Sequence, residues 1–333
     1  MTQRTLRTAS LAIGIALIVA WTPRAAEAQQ PAAGPPGWTP PMSPWGEPDL
    51  RGIWPLNHLI STPFQRPEQF GERRYLTDEE FAFAQKRAEN RNTRFLAGAI
   101  PQADAGQAIR QTSLLIDPPN GRFPALTARG QDLYDAMRGS YKPSQTVFDT
   151  PEDFDSWDRC ITRGLPVSML PRNYNNGIRI MQAPGYVVIL LEMAHEARVI
   201  PTDGRPALDD PIRQYLGESR GRWEGSTLVV ETRNFNGKTA MTNLGVPGSP
   251  ALTPSTPNLR VTERFTRTAD DAIDYQIRVE DPEILTTGWS AAYPMQRDDD
   301  YQMYEYACHE GNTAIRNYIE TSRFERARQK AGQ

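Results

Sequence analysis

Period-two alternation dominates the second half of the chain. Leu259 to Thr268 alternates apolar and polar residues, turns at Ala269-Asp270-Asp271 and alternates again from Ile273 to Glu280, which predicts two half-buried strands in a hairpin. Tyr186 to Leu191 is an unbroken aliphatic run that reads as a buried strand. Arg198-Val199-Ile200 reads as a short one ahead of the turn Thr202-Asp203-Gly204-Arg205. Trp223-Glu224-Gly225-Ser226 is a hairpin turn feeding the strand Thr227 to Thr232. Ser113 to Asp117, Gly288 to Met295 and Tyr301 to Cys308 complete a set of about eight short strands. They follow one another without crossover helices, which predicts a mainly β fold: an antiparallel meander that closes into a lipocalin-like barrel and so removes its exposed edges. A β-sandwich is the competing arrangement.

Upstream the pattern is mixed. Thr77-Asp78-Glu79-Glu80 is a capping box that opens a helix to about Arg91, and a second helix is expected from Thr127 to Arg138. Residues 49–158 therefore read as an irregular, α-containing N-terminal region. Residues 159–320 read as the barrel-like domain and 321–333 as a C-terminal tail. Residues 29–48 are proline-rich, the mark of an extended linker or wrapping arm. Residues 1–28 have the layout of a signal peptide. Arg4 and Arg7 precede an apolar stretch from Leu11 to Trp21, and Ala26-Glu27-Ala28 fits a cleavage site before Gln29. Export to the periplasm or beyond is the expectation, with no membrane span after cleavage.

Charge narrows the function classes. Thirty-seven basic and 40 acidic side chains leave a net charge of −3 and no basic stripe, which argues against nucleic acid as a partner. The chain has no Gly-x-Ser-x-Gly elbow, phosphate loop or dinucleotide fingerprint. A small molecule is the expected substrate or ligand.

The scarce residues carry the candidate chemistry. The chain has two cysteines and three histidines. In an oxidising compartment Cys160 and Cys308 are expected to pair. His195 and His309 are each followed by a glutamate, Glu196 and Glu310. If the histidines converge with Glu192 or Glu310, the four residues His195, His309, Glu192 and Glu310 form an acid–base set. Arg163, three residues from Cys160, is the favoured anchor for a substrate anion. Arg198, Tyr174 and Trp223 are further binding candidates. No His-Glu-x-x-His or Cys-x-x-Cys signature is present and no cofactor is expected, although His195, His309 and one carboxylate would suffice for a single divalent metal.

Five runs, Cys160-Ile161-Thr162-Arg163-Gly164-Leu165-Pro166, Gln182 to Ile189, Asp203-Gly204-Arg205-Pro206, Trp223 to Thr232 and Tyr304 to Asn312, together resemble a large family of exported bacterial proteins abundant in proteobacteria and acidobacteria. The resemblance spans roughly residues 49–320. Ser226 stands where that family has Asp in its Trp-Glu-Gly-Asp-Thr form, and Ala207 stands where a His after Gly-Arg-Pro is common. The resemblance implies export and no particular reaction. Taken together, the residues lead to two expectations. The first is an exported lyase, isomerase or hydrolase acting on a small, partly apolar or glycosidic molecule by His/Glu acid–base chemistry. The second is a non-catalytic carrier of a hydrophobic small molecule.

Overall fold

A computed structural model describes residues 34–96, 107–243 and 245–332. The signal-peptide stretch 1–28 and the start of the proline-rich segment lie outside the described residues. In chain order the elements are β1 (Gly52–Ile53), α1 (Asp78–Leu96), β2 (Leu115–Asp117), α2 (Ala128–Ala136), β3 (Ile178–Ala183), β4 (Tyr186–Leu191), β5 (Ala197–Pro201), β6 (Glu218–Glu224) and β7 (Thr227–Arg233). There follow β8 (Ala240–Thr242), β9 (Thr253–Pro254), β10 (Arg260–Ala269), β11 (Ala272–Glu280), β12 (Trp289–Gln296) and α3 (Ala314–Lys330).

The fold is mainly β and antiparallel, as the alternation predicts, but the strands do not close into one ring. They form a four-stranded sheet in the order β1-β3-β4-β5, a six-stranded sheet in the order β2-β12-β11-β10-β7-β6, and a small pair, β8-β9. The expected barrel is corrected here: no ladder joins β5 to β6, the point where a meander would have to continue, and both larger sheets are open among the described residues. β1 and β2 come from the region read as irregular, so that region supplies an edge strand to each sheet. The strand expected at Tyr301 to Cys308 is absent. That stretch is an extended arm with no ladder partner, and it leads into α3, which runs on through the expected tail.

One face of each sheet enters a shared core. β11 alternates half-buried and buried positions along its whole length, and β4 does the same, the signature of strands wet on one face only. Ile180, Val187 and Ile189 from the smaller sheet meet Val261, Phe265, Tyr275 and Ile277 from the larger one in a single apolar cluster. Phe64 packs edge-on against Trp289 at 5.3 Å between centroids. An ion pair links the sheets through this core: Arg198 on β5 donates to both carboxylate oxygens of Glu263 on β10, and the Tyr275 hydroxyl donates to Glu263 Oε1 at 2.8 Å. The Arg198 and Glu263 side chains are 2% and 0% exposed.

The helices begin where side chains satisfy the first free backbone N–H groups. Glu80 N–H donates to Thr77 Oγ1 and Thr77 N–H donates to Glu80 Oε2, the reciprocal bonds of the expected capping box. Thr127 Oγ1 accepts from Gly130 N–H at the start of α2.

Candidate functional site

Between β4 and β5 the chain makes a turn that strand parity does not anticipate. Ala194 and His195 both adopt left-handed backbone conformations, with φ of 61° and 46°. The turn sends Glu192 and Glu196 inward and leaves His195 exposed. Each buried glutamate then acts as a clamp. Glu192 Oε1 accepts from Asn175 Nδ2 (2.8 Å) and Tyr304 N–H (3.2 Å), and Oε2 accepts from Gly177 N–H (3.0 Å) and the Tyr301 hydroxyl (2.8 Å). Glu196 Oε1 accepts from Thr162 Oγ1 (2.7 Å) and Arg163 N–H (2.8 Å), and Oε2 accepts from Ser168 Oγ (2.6 Å). One carboxylate fastens the C-terminal arm and the other fastens the loop that starts at Cys160.

Cys160 and Cys308 form a disulfide with Cα atoms 5.6 Å apart, joining that loop to that arm. Cys160 is left-handed, with φ of 55°, and the side chain of Asn312 donates to its sulfur at 3.3 Å. The bridge and the Glu192 clamp together fix Tyr306, which lies between them. Its ring is 5.8 Å from that of Trp157 and stacks on Tyr174 at 6.4 Å with 13° between planes.

Against Trp157 lies Arg163. Its guanidinium sits over the Trp157 ring at 4.1 Å from the centroid, and Nη1 donates to Asn243 Oδ1 at 3.2 Å. Gly245 leaves it room, because a Cβ there would come within 2.9 Å of Nη1. The residue is 6% exposed, its Nε has no hydrogen-bond partner, and no carboxylate pairs with it among the described residues. Burial pushes the guanidinium below its usual range, and the neighbouring Tyr174, Tyr141, Tyr306 and Glu196 oppose that shift. Arg172, 4% exposed, is pushed down to about 9 by burial and then by the charge of Arg163. Both remain cations at neutral pH. Asp155, half-buried, is pushed up to about 6 by burial and then by the charge of Asp158, against the backbone bonds from Asp158 and Trp157 and the charge of Arg163. The Tyr306 hydroxyl is raised by burial and by its hydrogen bond with Tyr174.

Of the residues singled out in the sequence, Arg163, Tyr174 and the two cysteines are brought together here. The other candidates are placed elsewhere or are otherwise engaged. Arg198 is occupied by Glu263 inside the core. Trp223, on β6 opposite Leu228, packs against the core. His195, His309 and Glu310 are exposed, and no hydrogen bond joins the two histidines among the described residues. No group of three His, Cys, Asp or Glu side chains is arranged to hold a metal ion among the described residues. Sequence reasoning missed Tyr141, Asp155, Trp157, Arg172 and Asn243 as parts of the site. Trp157 stands three residues before Cys160 and Tyr306 two before Cys308, so spacing from the cysteines was the available signal.

No protein-family model, curated protein or solved structure matches this chain. The site's chemistry therefore rests on its own geometry. It is an aromatic cluster of Trp157, Tyr174 and Tyr306 with the buried Arg163 cation on Trp157, and Tyr141 nearby is 38% exposed; we refer to it as the aromatic cup.

Proposed function

We propose that this chain is an exported protein of the periplasm or cell exterior that binds a small, partly apolar molecule in the aromatic cup around Arg163. The observation that carries this reading is the convergence of remote segments. Trp157, Tyr174 and Tyr306 come from parts of the chain up to about 150 residues apart, and a disulfide and a four-donor carboxylate clamp hold them against one another. Tyr174 and Tyr306, only half-buried and near a fixed polar group, suit a ligand with one flat apolar face and one polar end. Export is supported by the leader-like N-terminus and by the disulfide, which persists in oxidising compartments. No described helix is long and apolar enough to cross a membrane.

A second reading, acid–base turnover of the bound molecule, is favoured by Asp155, whose carboxyl group is pushed up to about 6 by burial and the charge of Asp158, within reach of the charge of Arg163. In this form the proton carrier is Asp155 rather than the exposed histidines. The test is a screen of small aromatic and glycosidic compounds by Trp fluorescence and thermal shift, repeated on Tyr306→Ala and on His309→Gln. The binding reading expects hits that weaken at least tenfold in Tyr306→Ala and persist in His309→Gln. Hits that survive Tyr306→Ala unchanged would place the ligand elsewhere and sink it. Product formation that disappears in Asp155→Asn while affinity persists would favour the second reading.

A further inference from the structure

We propose that Arg163 is the anion-binding end of this cup and that the ligand it takes is a planar aromatic or conjugated monocarboxylate, an inference that rests on the ligand site proposed above. A guanidinium carries five N–H donors, and Arg163 commits one of them, to Asn243 Oδ1. Its Nε is buried and unpaired. The nearby Glu196 does not neutralise it by contact, because that carboxylate is spent on Thr162 Oγ1, the Arg163 backbone N–H and Ser168 Oγ. A buried cation without a direct partner is costly, and the cost is recovered when an anion supplies the missing acceptors.

Two features select the kind of anion. The guanidinium lies on Trp157, which covers one face, and Gly245 lies close to Nη1 and Nη2, so a ligand must meet the remaining N–H groups in a narrow slot; a carboxylate does so with two coplanar oxygens. Glu196 accepts from the Arg163 backbone N–H, Asp158 N–H donates to Asp155 Oδ1 at 2.8 Å, and the charge of Arg163 acts on Asp155. The negative charge of these carboxylates disfavours a dianionic phosphate more than a monoanion. The organic part of the ligand then lies against Tyr174 and Tyr306, whose rings are nearly parallel, 6.4 Å between centroids, and remain half open to solvent. Those faces favour a flat ring over a flexible chain.

The experiment uses the full-length oxidised protein with four probes: benzoate, trans-cinnamate and the uncharged amide of each, titrated by ligand-observed NMR at pH 7.5. The expected result is that each acid binds at least tenfold more tightly than its amide, and that Arg163→Gln reduces this ratio to about one. If acids and amides bind alike, the carboxylate assignment is overturned while the aromatic cup stands. If none of the four binds, both the assignment and the cup fall. The acid-to-amide comparison needs no variant, so it decides even where Arg163→Gln fails to fold. Where that variant folds, a ratio of ten or more that survives in it would move the anion to Arg172 and overturn the role given to Arg163.

Discussion

Glu192 offers the sharpest test, because the sequence marks it as a catalytic partner and the structure surrounds it with donors. Its carboxylate, on a residue 2% exposed, accepts four hydrogen bonds, two from backbone N–H groups, one from an amide and one from a phenol. Replacing it with Gln keeps one acceptor oxygen and turns the other into an NH2 group that faces two donors. Two charge-assisted bonds at about 1.5–3 kcal/mol each are then lost. Water returning to the half-buried Tyr301 where Oε2 is the oxygen lost, or to the Tyr304 N–H where it is Oε1, offsets part of the loss, so the expected cost is about 3 kcal/mol. For some 300 ordered residues the unfolding entropy is roughly 0.6 kcal/mol per degree, so Tm should fall by about 5 °C. Circular dichroism melts of Glu192→Gln and the parent, both oxidised, measure this directly. A change under about 1 °C would refute the clamp. It would return Glu192 to the pool of groups available for chemistry, all the more so if turnover were lost at unchanged stability.

Other consequences are equally open to measurement. The Cys160–Cys308 bridge closes a loop with a sequence separation of 148, worth up to about 5 kcal/mol on the chain-entropy model, so the double Ser variant should melt roughly 8 °C lower in thermal scans. Arg198→Met leaves Glu263 buried without its partner, and urea titration should show a loss of about 3–5 kcal/mol. Asp155 has its folded pKa raised to about 6, above an unfolded value near 4. It is protonated in both states below that lower value and contributes nothing there. As pH rises through the window from about 4 to 6 the unfolded chain ionises first, and stability falls. Asp155→Asn should therefore be more stable than the parent by about 1–2 kcal/mol at pH 7.5 and equal to it near pH 3.5, as read from paired urea titrations. His195→Gln and His309→Gln, at exposed positions, should each move stability by less than about 0.5 kcal/mol in the same assay.

What could be read from the chain depended on how local the cause was. The hairpin of β10 and β11 was legible because its register obeys the period of two from Val261 against Val279 to Arg267 against Ile273. The helix starts at Thr77 and Thr127 were legible because a cap is a contact over three residues. The cysteine pair followed from compartment chemistry rather than from pattern. Tyr301 to Cys308 misled because its aromatic residues have other uses: Tyr301 donates its hydroxyl to Glu192, Tyr304 donates its backbone N–H to the same carboxylate and Tyr306 packs near Trp157, so the stretch is anchored without a ladder. The inward turn of Glu192 and Glu196 was not legible because it depends on two left-handed residues, Ala194 and His195, neither of them a glycine that would have announced the turn. Arg198 looked available because its partner Glu263 stands 65 residues away. The barrel was overextended for a comparable reason, since hydropathy records that β5 and β6 each have a buried face but not whether they pair.

The C-terminal arm gives the cup a place in time. Tyr306 and Cys308 follow every strand of both sheets, so a nascent chain can complete its sheets while the ring that covers Trp157 has yet to be made. The aromatic cluster is therefore the last part of such a chain to be assembled, after the arm has been drawn onto Glu192 and the two thiols have been oxidised. On the export proposed above, the Cys160–Cys308 bridge would then close over Tyr306 only after crossing, where the oxidant is.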